Sequence, residues 1–151
     1  MLRPSKKMYL ALEAVIDIAY HGGVEPVQSQ DIAERLGLPR RYLEQVMQQL
    51  VRSSILRGVR GPRGGYRLAK ERRRITVGDI VRVVQSMDAS AQEDDHSSPS
   101  ELGRLVVAPF WVDAEQELMQ RLDRVTVEEL CKHADRAGVR SFARAEADFV
   151  I

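Results

Sequence analysis

The sequence predicts a mainly α-helical protein that carries one small β-hairpin. Two observations predict it. Apolar residues recur at helical spacing in six stretches, and the period becomes strand-like only between residues 55 and 69. Ser5 is placed to cap a first helix over residues 6–21, where Met8, Leu12, Val15, Ile16 and Ala19 share a face before Gly22 and Gly23 end it. A second, short helix over residues 28–36 has Ile32, Ala33 and Leu36 as its stripe and stops at Gly37. Pro39 opens a third helix reaching about residue 53, because proline is tolerated where first-turn N–H groups lack intrahelical partners. Leu43, Val46, Met47, Leu50 and Val51 face inward there, while Arg40, Arg41, Tyr42 and Glu44 face outward.

Residues 55–60 and 66–69 read as two strands joined by the tip Gly61-Pro62-Arg63-Gly64-Gly65. Thr76 and Asp79 then stand three apart at the head of a helix over residues 77–87, a spacing like that of a capping box. Residues 88–101 are acidic, small and polar, so they predict a flexible loop. A further apolar periodicity covers residues 102–125, with Leu105, Ala108, Val112, Met119 and Leu122 at heptad-like positions and Glu115 as the exception. Pro109 lies inside it, so the helix either begins there or is kinked. Thr126-Val127-Glu128-Glu129 is a capping box for a last helix ending near Gly138. The tail to residue 151 carries Phe142, Phe149 and Val150 and has no clear period.

Totals narrow the function. The chain has 151 residues, 44% of them hydrophobic but only 5% aromatic, so its core is built of Leu, Val, Ile and Ala. One cysteine, Cys131, excludes an internal disulfide framework and suits a reducing compartment. Glu13 and Asp17 interrupt the apolar stretch after the basic start, and no run approaches the roughly 20 apolar residues of a membrane span. A cytoplasmic location without membrane contact is therefore expected. The net charge of +1 conceals an asymmetry. Residues 1–74 hold 15 Lys or Arg against 7 Asp or Glu, and residues 75–151 hold 8 against 15. A basic half of this kind suits a polyanion.

The order of the motifs names the polyanion. The second and third helices, joined through Gly37-Leu38-Pro39, form a helix-turn-helix, whose second helix enters the major groove of DNA by its N-terminal residues. Arg40 and Arg41 can each make paired hydrogen bonds to guanine, and Glu44 can accept from the cytosine amino group. Tyr42 can meet a phosphate or a thymine methyl. In the hairpin tip, Gly61 and Gly64 allow close backbone approach, and Arg60 and Arg63 can enter a narrow minor groove. Ser5, Lys6 and Lys7 at a helix N-terminus can hold phosphate. The expected architecture is a winged helix-turn-helix domain over residues 1–87, followed by the acidic loop, a long helix, and a C-terminal helix with its tail over residues 126–151.

Ser5-Lys6-Lys7-Met8-Tyr9, Arg41-Tyr42-Leu43-Glu44-Gln45 and Val59-Arg60-Gly61-Pro62-Arg63-Gly64-Gly65-Tyr66 together resemble the Rrf2 family of bacterial transcription regulators. Ile75-Thr76-Val77-Gly78-Asp79-Ile80 fits as well, so the likeness covers most of residues 1–88. The resemblance implies a winged-helix homodimer held by the long helix over residues 102–125, with Leu105, Val112, Met119 and Leu122 at the interface. It also implies DNA contacts through Arg41, Tyr42, Glu44 and Arg60. The leading expectation is a sequence-specific dimeric regulator, a repressor before an activator, whose two-fold symmetry calls for a pseudo-palindromic operator.

The chain departs from the family at one point. Many members hold an iron–sulfur cluster by three cysteines in the loop before the dimer helix, and residues 88–103 contain none. Ala108 stands where a cluster-binding histidine would be expected beside Trp111. No cluster, other cofactor or metal is expected. Asp94, Asp95 and His96 read as solvated charge. Cys131 and His133 lie two apart on a helix and point in different directions, and Cys131 reads as a partly buried structural thiol whose pKa Lys132 could lower. Neither a phosphate-binding Gly-Lys-Ser/Thr loop nor a dinucleotide motif occurs, so no enzymatic activity is expected. The competing reading is a protein-interaction module. Some cluster-free relatives respond to sulfur supply by complex formation with a cysteine-synthesising enzyme, and the acidic half offers a docking surface.

Overall fold

The computed structural model describes residues 3–89 and 99–142. The first helix, α1 (Lys6–His21), runs through the middle of the core. Ser5 Oγ accepts from the Met8 N–H at 3.2 Å to cap it, and the Gly22 N–H closes its far end on the Ile18 carbonyl. Leu10, Ala11, Ala14, Val15 and Ile18 are buried along one side, against α3, α4 and α6. The second helix, α2 (Ser29–Leu36), ends at Gly37, whose φ of 66° lies in the left-handed region that favours glycine. The Leu38 N–H then donates to Ala33 O at 3.0 Å, completing the turn into α3 (Arg40–Arg52). Pro39 sits one position outside α3 as its cap residue, not inside it. Leu43, Val46, Met47 and Leu50 of α3 are at most 1% exposed. At about 1.5–3 kcal/mol for each such side chain, their burial is what fixes α3 on the core.

Strands β1 (Leu56–Val59) and β2 (Gly65–Leu68) pair antiparallel, with Leu56 opposite Leu68 and Val59 opposite Gly65. At the tip, Gly61 takes a φ of 114° and its carbonyl accepts from the Gly64 N–H at 2.9 Å. The hairpin has a third member that the sequence did not suggest. Val27 bridges Tyr66 antiparallel, through Val27 N–H to Tyr66 O at 3.0 Å and Tyr66 N–H to Val27 O at 2.8 Å. Gly65 makes this possible: a Cβ there would stand 2.3 Å from Val27 O and 2.6 Å from Val27 C. Those atoms are backbone and have little room to yield. Gly65→Ala is therefore expected to lose about 1–3 kcal/mol of stability, read as a lower urea midpoint at unchanged slope.

After a 3₁₀ turn (Arg72–Arg74) comes α4 (Val77–Ala89), two residues longer than the periodicity predicts. Thr76 and Asp79 form the reciprocal capping box: the Thr76 N–H donates to Asp79 Oδ2 at 3.0 Å, and the Asp79 N–H to Thr76 Oγ1 at 3.1 Å. Of the acidic loop, residues 90–98, which include Asp94, Asp95 and His96, lie outside the described residues, as does the tail beyond Phe142. The long helix begins at residue 101 and contains a π-helical stretch (Gly103–Val107) before α5 (Ala108–Leu122). There the Ala108 N–H donates to the Gly103 carbonyl, five residues back. The widened turn relieves the clash that the Pro109 ring would make with the carbonyl of Leu105. So the proline is accommodated by a π-turn within one continuous helix.

The last helix, α6 (Val127–Arg136), is capped by Thr126, whose Oγ1 accepts from the Glu129 N–H at 3.2 Å. Backbone bonds of 2.8 Å from Val77 N–H to Val125 O and from Val127 N–H to Ile75 O join the heads of α4 and α6. Val127 and Cys131 enter the core. No residue of α5 is buried. Among the described residues, no helix is long and apolar enough to cross a membrane.

Candidate nucleic-acid interface

The N-terminal ends of α2 and α3 and the tip of the hairpin border an open concavity of about 570 Å³. Its lining includes Gln28, Ser29, Arg40, Glu44, Arg60 and Tyr66. Three of these form a polar cluster. Arg40 Nε donates to Ser29 Oγ at 3.1 Å and to Glu44 Oε1 at 3.0 Å, and Ser29 Oγ donates to the same Glu44 oxygen at 3.4 Å. Burial pushes the Tyr66 phenol pKa upward; the negative charge of Glu44 adds to this and Arg40 opposes it. Tyr66 therefore stays a neutral hydroxyl, free to donate.

The other sequence-predicted residues divide by position. Gly61 and Gly64 line the concavity with Arg60. Gly64 serves the loop itself, since a Cβ there would stand 2.3 Å from Val59 O. Arg41 and Arg60 are exposed and have no partner among the described residues. Tyr42 is 37% exposed on the first turn of α3. Arg63, at the loop tip, is 86% exposed and only 3.9 Å from Glu25. Pairing at that distance and exposure contributes little and is readily exchanged. Ser5, Lys6 and Lys7 do not line the concavity. Lys6 is exposed, whereas Lys7 Nζ is held 2.9 Å from Asp88 Oδ1. Of the described residues at the N-terminus of α1, only Lys6 thus presents an uncommitted ammonium.

Ser29, Gln28 and Tyr66 are among the lining residues that sequence reasoning missed. Ser29 carries a signal, a small hydroxyl residue at a helix start, but the apolar period places that start one residue earlier. The places of all three in the concavity depend on how α2 crosses α3 and on the Val27–Tyr66 bridge.

The long helix presents a different surface. Leu102, Leu105, Val106, Phe110, Trp111, Val112 and Leu118 are all at least 45% exposed. Of the four predicted interface residues, Leu105 and Val112 stand in solvent, while Met119 and Leu122 are half-buried. Cys131 is 3% exposed, more deeply buried than expected, and His133 points outward. Burial pushes the Cys131 thiol pKa up against an opposing hydrogen bond from Arg72. The nearby cation that acts on it is Arg72, not Lys132, and the net effect keeps the thiol protonated.

Comparison with known proteins agrees with this architecture. The model of the Rrf2 family, described as an iron-dependent transcriptional regulator, matches residues 4–133. The HTH-type transcriptional regulator IscR of Yersinia pseudotuberculosis serotype O:1b (strain IP 31758) is 32% identical over 135 residues, which is 89% of this chain and 82% of that protein. The solved structure of T. potens IscR superposes with a TM-score of 0.74 at 34% identity, covering 93% of each chain. That of CymR (YrzC), the global cysteine regulator of B. subtilis, gives a TM-score of 0.68 at 28% identity, covering 88% of this chain and 98% of the other. With its helix-turn-helix, its hairpin wing and this breadth of similarity, the chain belongs to the Rrf2 family of transcriptional regulators.

Proposed function

We propose that this regulator binds a pseudo-palindromic DNA operator as a homodimer and represses transcription by occupying it. One observation carries the DNA reading: Arg41 and Arg60 stand exposed, without partners among the described residues, on the helix and the wing that border one groove. Free guanidinium groups in that setting suit guanine edges and phosphates, which they engage by paired hydrogen bonds. The homodimer reading is supported by the exposed apolar side of α5, a surface of the sort that marks an interface. A two-fold dimer would address two half-sites about one DNA turn apart, or a multiple of it.

Selection from a randomised duplex pool, followed by titration of the selected duplex, tests the reading. Arg41→Ala is expected to lose about 1–3 kcal/mol of discrimination at one base pair of each half-site. Lys6→Ala is expected to weaken all duplexes alike and to lower the slope of log K against log salt by about 0.9 for each phosphate it leaves unneutralised. Even weakening by Arg41→Ala across all sequences would contradict its assignment as a base reader.

The donor set supports a regulator without a resident iron–sulfur cluster. The sole cysteine, Cys131, lies under Arg72 in the core, and a cluster requires several thiolates or their equivalent. Among the described residues, no group of three or more His, Cys, Asp and Glu is arranged to hold a metal. The signal is then better sought in a partner. Similarity to a global cysteine regulator favours control by a cysteine-synthesising enzyme. Mixing the two purified proteins is expected to give a complex on gel filtration, and two separate peaks would remove this reading.

A further inference from the structure

Adjacent positions at the start of α3 carry two arginines in opposite electrostatic situations, and Arg40 is the one that lines the groove. Arg41 is uncommitted, whereas Arg40 is tied by its Nε to both Ser29 and Glu44. Ser29 is itself a buried polar residue, 8% exposed, and its hydroxyl is engaged by the same two side chains. Three side chains from the starts of α2 and α3 therefore close a ring around one carboxylate oxygen, Glu44 Oε1. The second oxygen, Oε2, has no partner among the described residues. A bare carboxylate beside DNA phosphates is repelled. One whose charge is matched by a hydrogen-bonded guanidinium is tolerated and held in one orientation.

We infer that Arg40 is a positioning residue, which sets base preference through Glu44 and does not itself contact DNA. Resting on the DNA-binding reading above, this divides the labour on α3: Arg41 supplies a free cation, and the Arg40–Ser29–Glu44 ring presents one aimed acceptor. Such an acceptor takes a hydrogen bond from an exocyclic base amino group, cytosine N4 being the major-groove donor that pairs with it. The i,i+4 spacing of Arg40 and Glu44 permits the pairing, and Ser29 from α2 hydrogen-bonds to both.

The test uses the full chain and four variants: Glu44→Gln, Arg40→Gln, the double variant, and Ser29→Ala. Each is titrated against the duplex that the parent selects from a random pool, and against every single-base-pair substitution of that duplex. Glu44→Gln is expected to reduce discrimination at one base pair per half-site by about tenfold, the range of a good base contact. Arg40→Gln and Ser29→Ala should erode preference at that same base pair by a smaller factor, and the double variant should be no worse there than Glu44→Gln alone. Unfolding alone would lower binding to all duplexes equally, and a thermal melt of each variant identifies it. The inference is overturned if folded Arg40→Gln weakens every duplex evenly, as removal of a phosphate ligand would. Erosion at a different base pair, or additivity in the double variant, overturns it too, because Arg40 would then read DNA independently. If the parent chain selects no duplex, the DNA-binding reading falls first and this inference with it.

Discussion

A chain carrying Leu105→Asp and Val112→Asp together is expected to sediment as a monomer and to bind its operator at least about 100-fold more weakly than the parent. Both side chains project into solvent, at 70% and 50% exposure, from a helix that gives no residue to the core. Covering such side chains against a second copy is worth about 1.5–3 kcal/mol each, and two carboxylates placed there must be desolvated or leave the interface open. Once the copies separate, each winged domain meets only one half-site. The gain from linking two sites, typically about 10²–10⁴, then disappears. The substitutions should leave the domain folded, because the core formed by α1, α3, α4 and α6 does not draw on either residue. Sedimentation, operator titration and a melting curve on one preparation separate these effects. A variant that stays dimeric and keeps full affinity would place the interface elsewhere.

Those two aspartates are aimed at a surface legible in the sequence, because apolar period, caps and turn glycines are local signals. Hence the bounds of α1, the Gly37 turn and the Thr76–Asp79 box all follow from residues within a few positions of one another. The basic Gly-tipped hairpin is equally local. Pairings between distant elements are not legible. Val27 is a single extended residue, too short for any period, yet it completes the wing. Lys7 has the look of a phosphate ligand until α4 brings Asp88 to it. Arg40 and Glu44 resemble two independent base readers; their i,i+4 spacing allows a pair, but only the crossing of α2 over α3 brings Ser29 to both. Pro109 announces an irregularity, but only the backbone distinguishes a π-turn from a kink. The strap of residues 139–142 against α1 leaves no trace in the pattern. It is held by Tyr20 Oη donating to Val139 O and by Ser141 Oγ donating to Tyr20 O at 2.9 Å.

That strap ends on the other feature from which a large effect is expected. Asp17→Ala should lower the stability of the folded chain by about 3 kcal/mol, read from a urea midpoint at unchanged slope. The Asp17 side chain is 5% exposed and accepts two bonds of 2.8 Å from Arg35, which ties α1 to α2. Removing it leaves the guanidinium, 24% exposed, in a site built for a counter-ion, with the Phe142 ring 5.4 Å away and the weaker attraction of Asp31 and Glu34 to compensate. Partial exposure of Arg35 sets the figure at the lower end of the range for a broken buried pair. His21 lies in the same cluster. Its Nδ1 accepts from the Phe142 N–H at 3.3 Å, so the proton of the neutral ring is on Nε2, which stands 3.8 Å from Asp17 Oδ2. Burial lowers the His21 pKa below 6.5; Asp17 opposes this and Arg35 adds to it. With the folded value depressed, the unfolded chain binds more protons, so stability is full above about pH 6.5 and falls as the pH drops through the folded pKa. The stability of His21→Gln should lack that acid-limb dependence, and the difference between the two urea titrations from about pH 7.5 to 5 isolates it. A parent chain that instead gained stability on acidification relative to His21→Gln would mean that imidazolium pairs with Asp17 strongly enough to outweigh both its burial and the broken bond to Phe142.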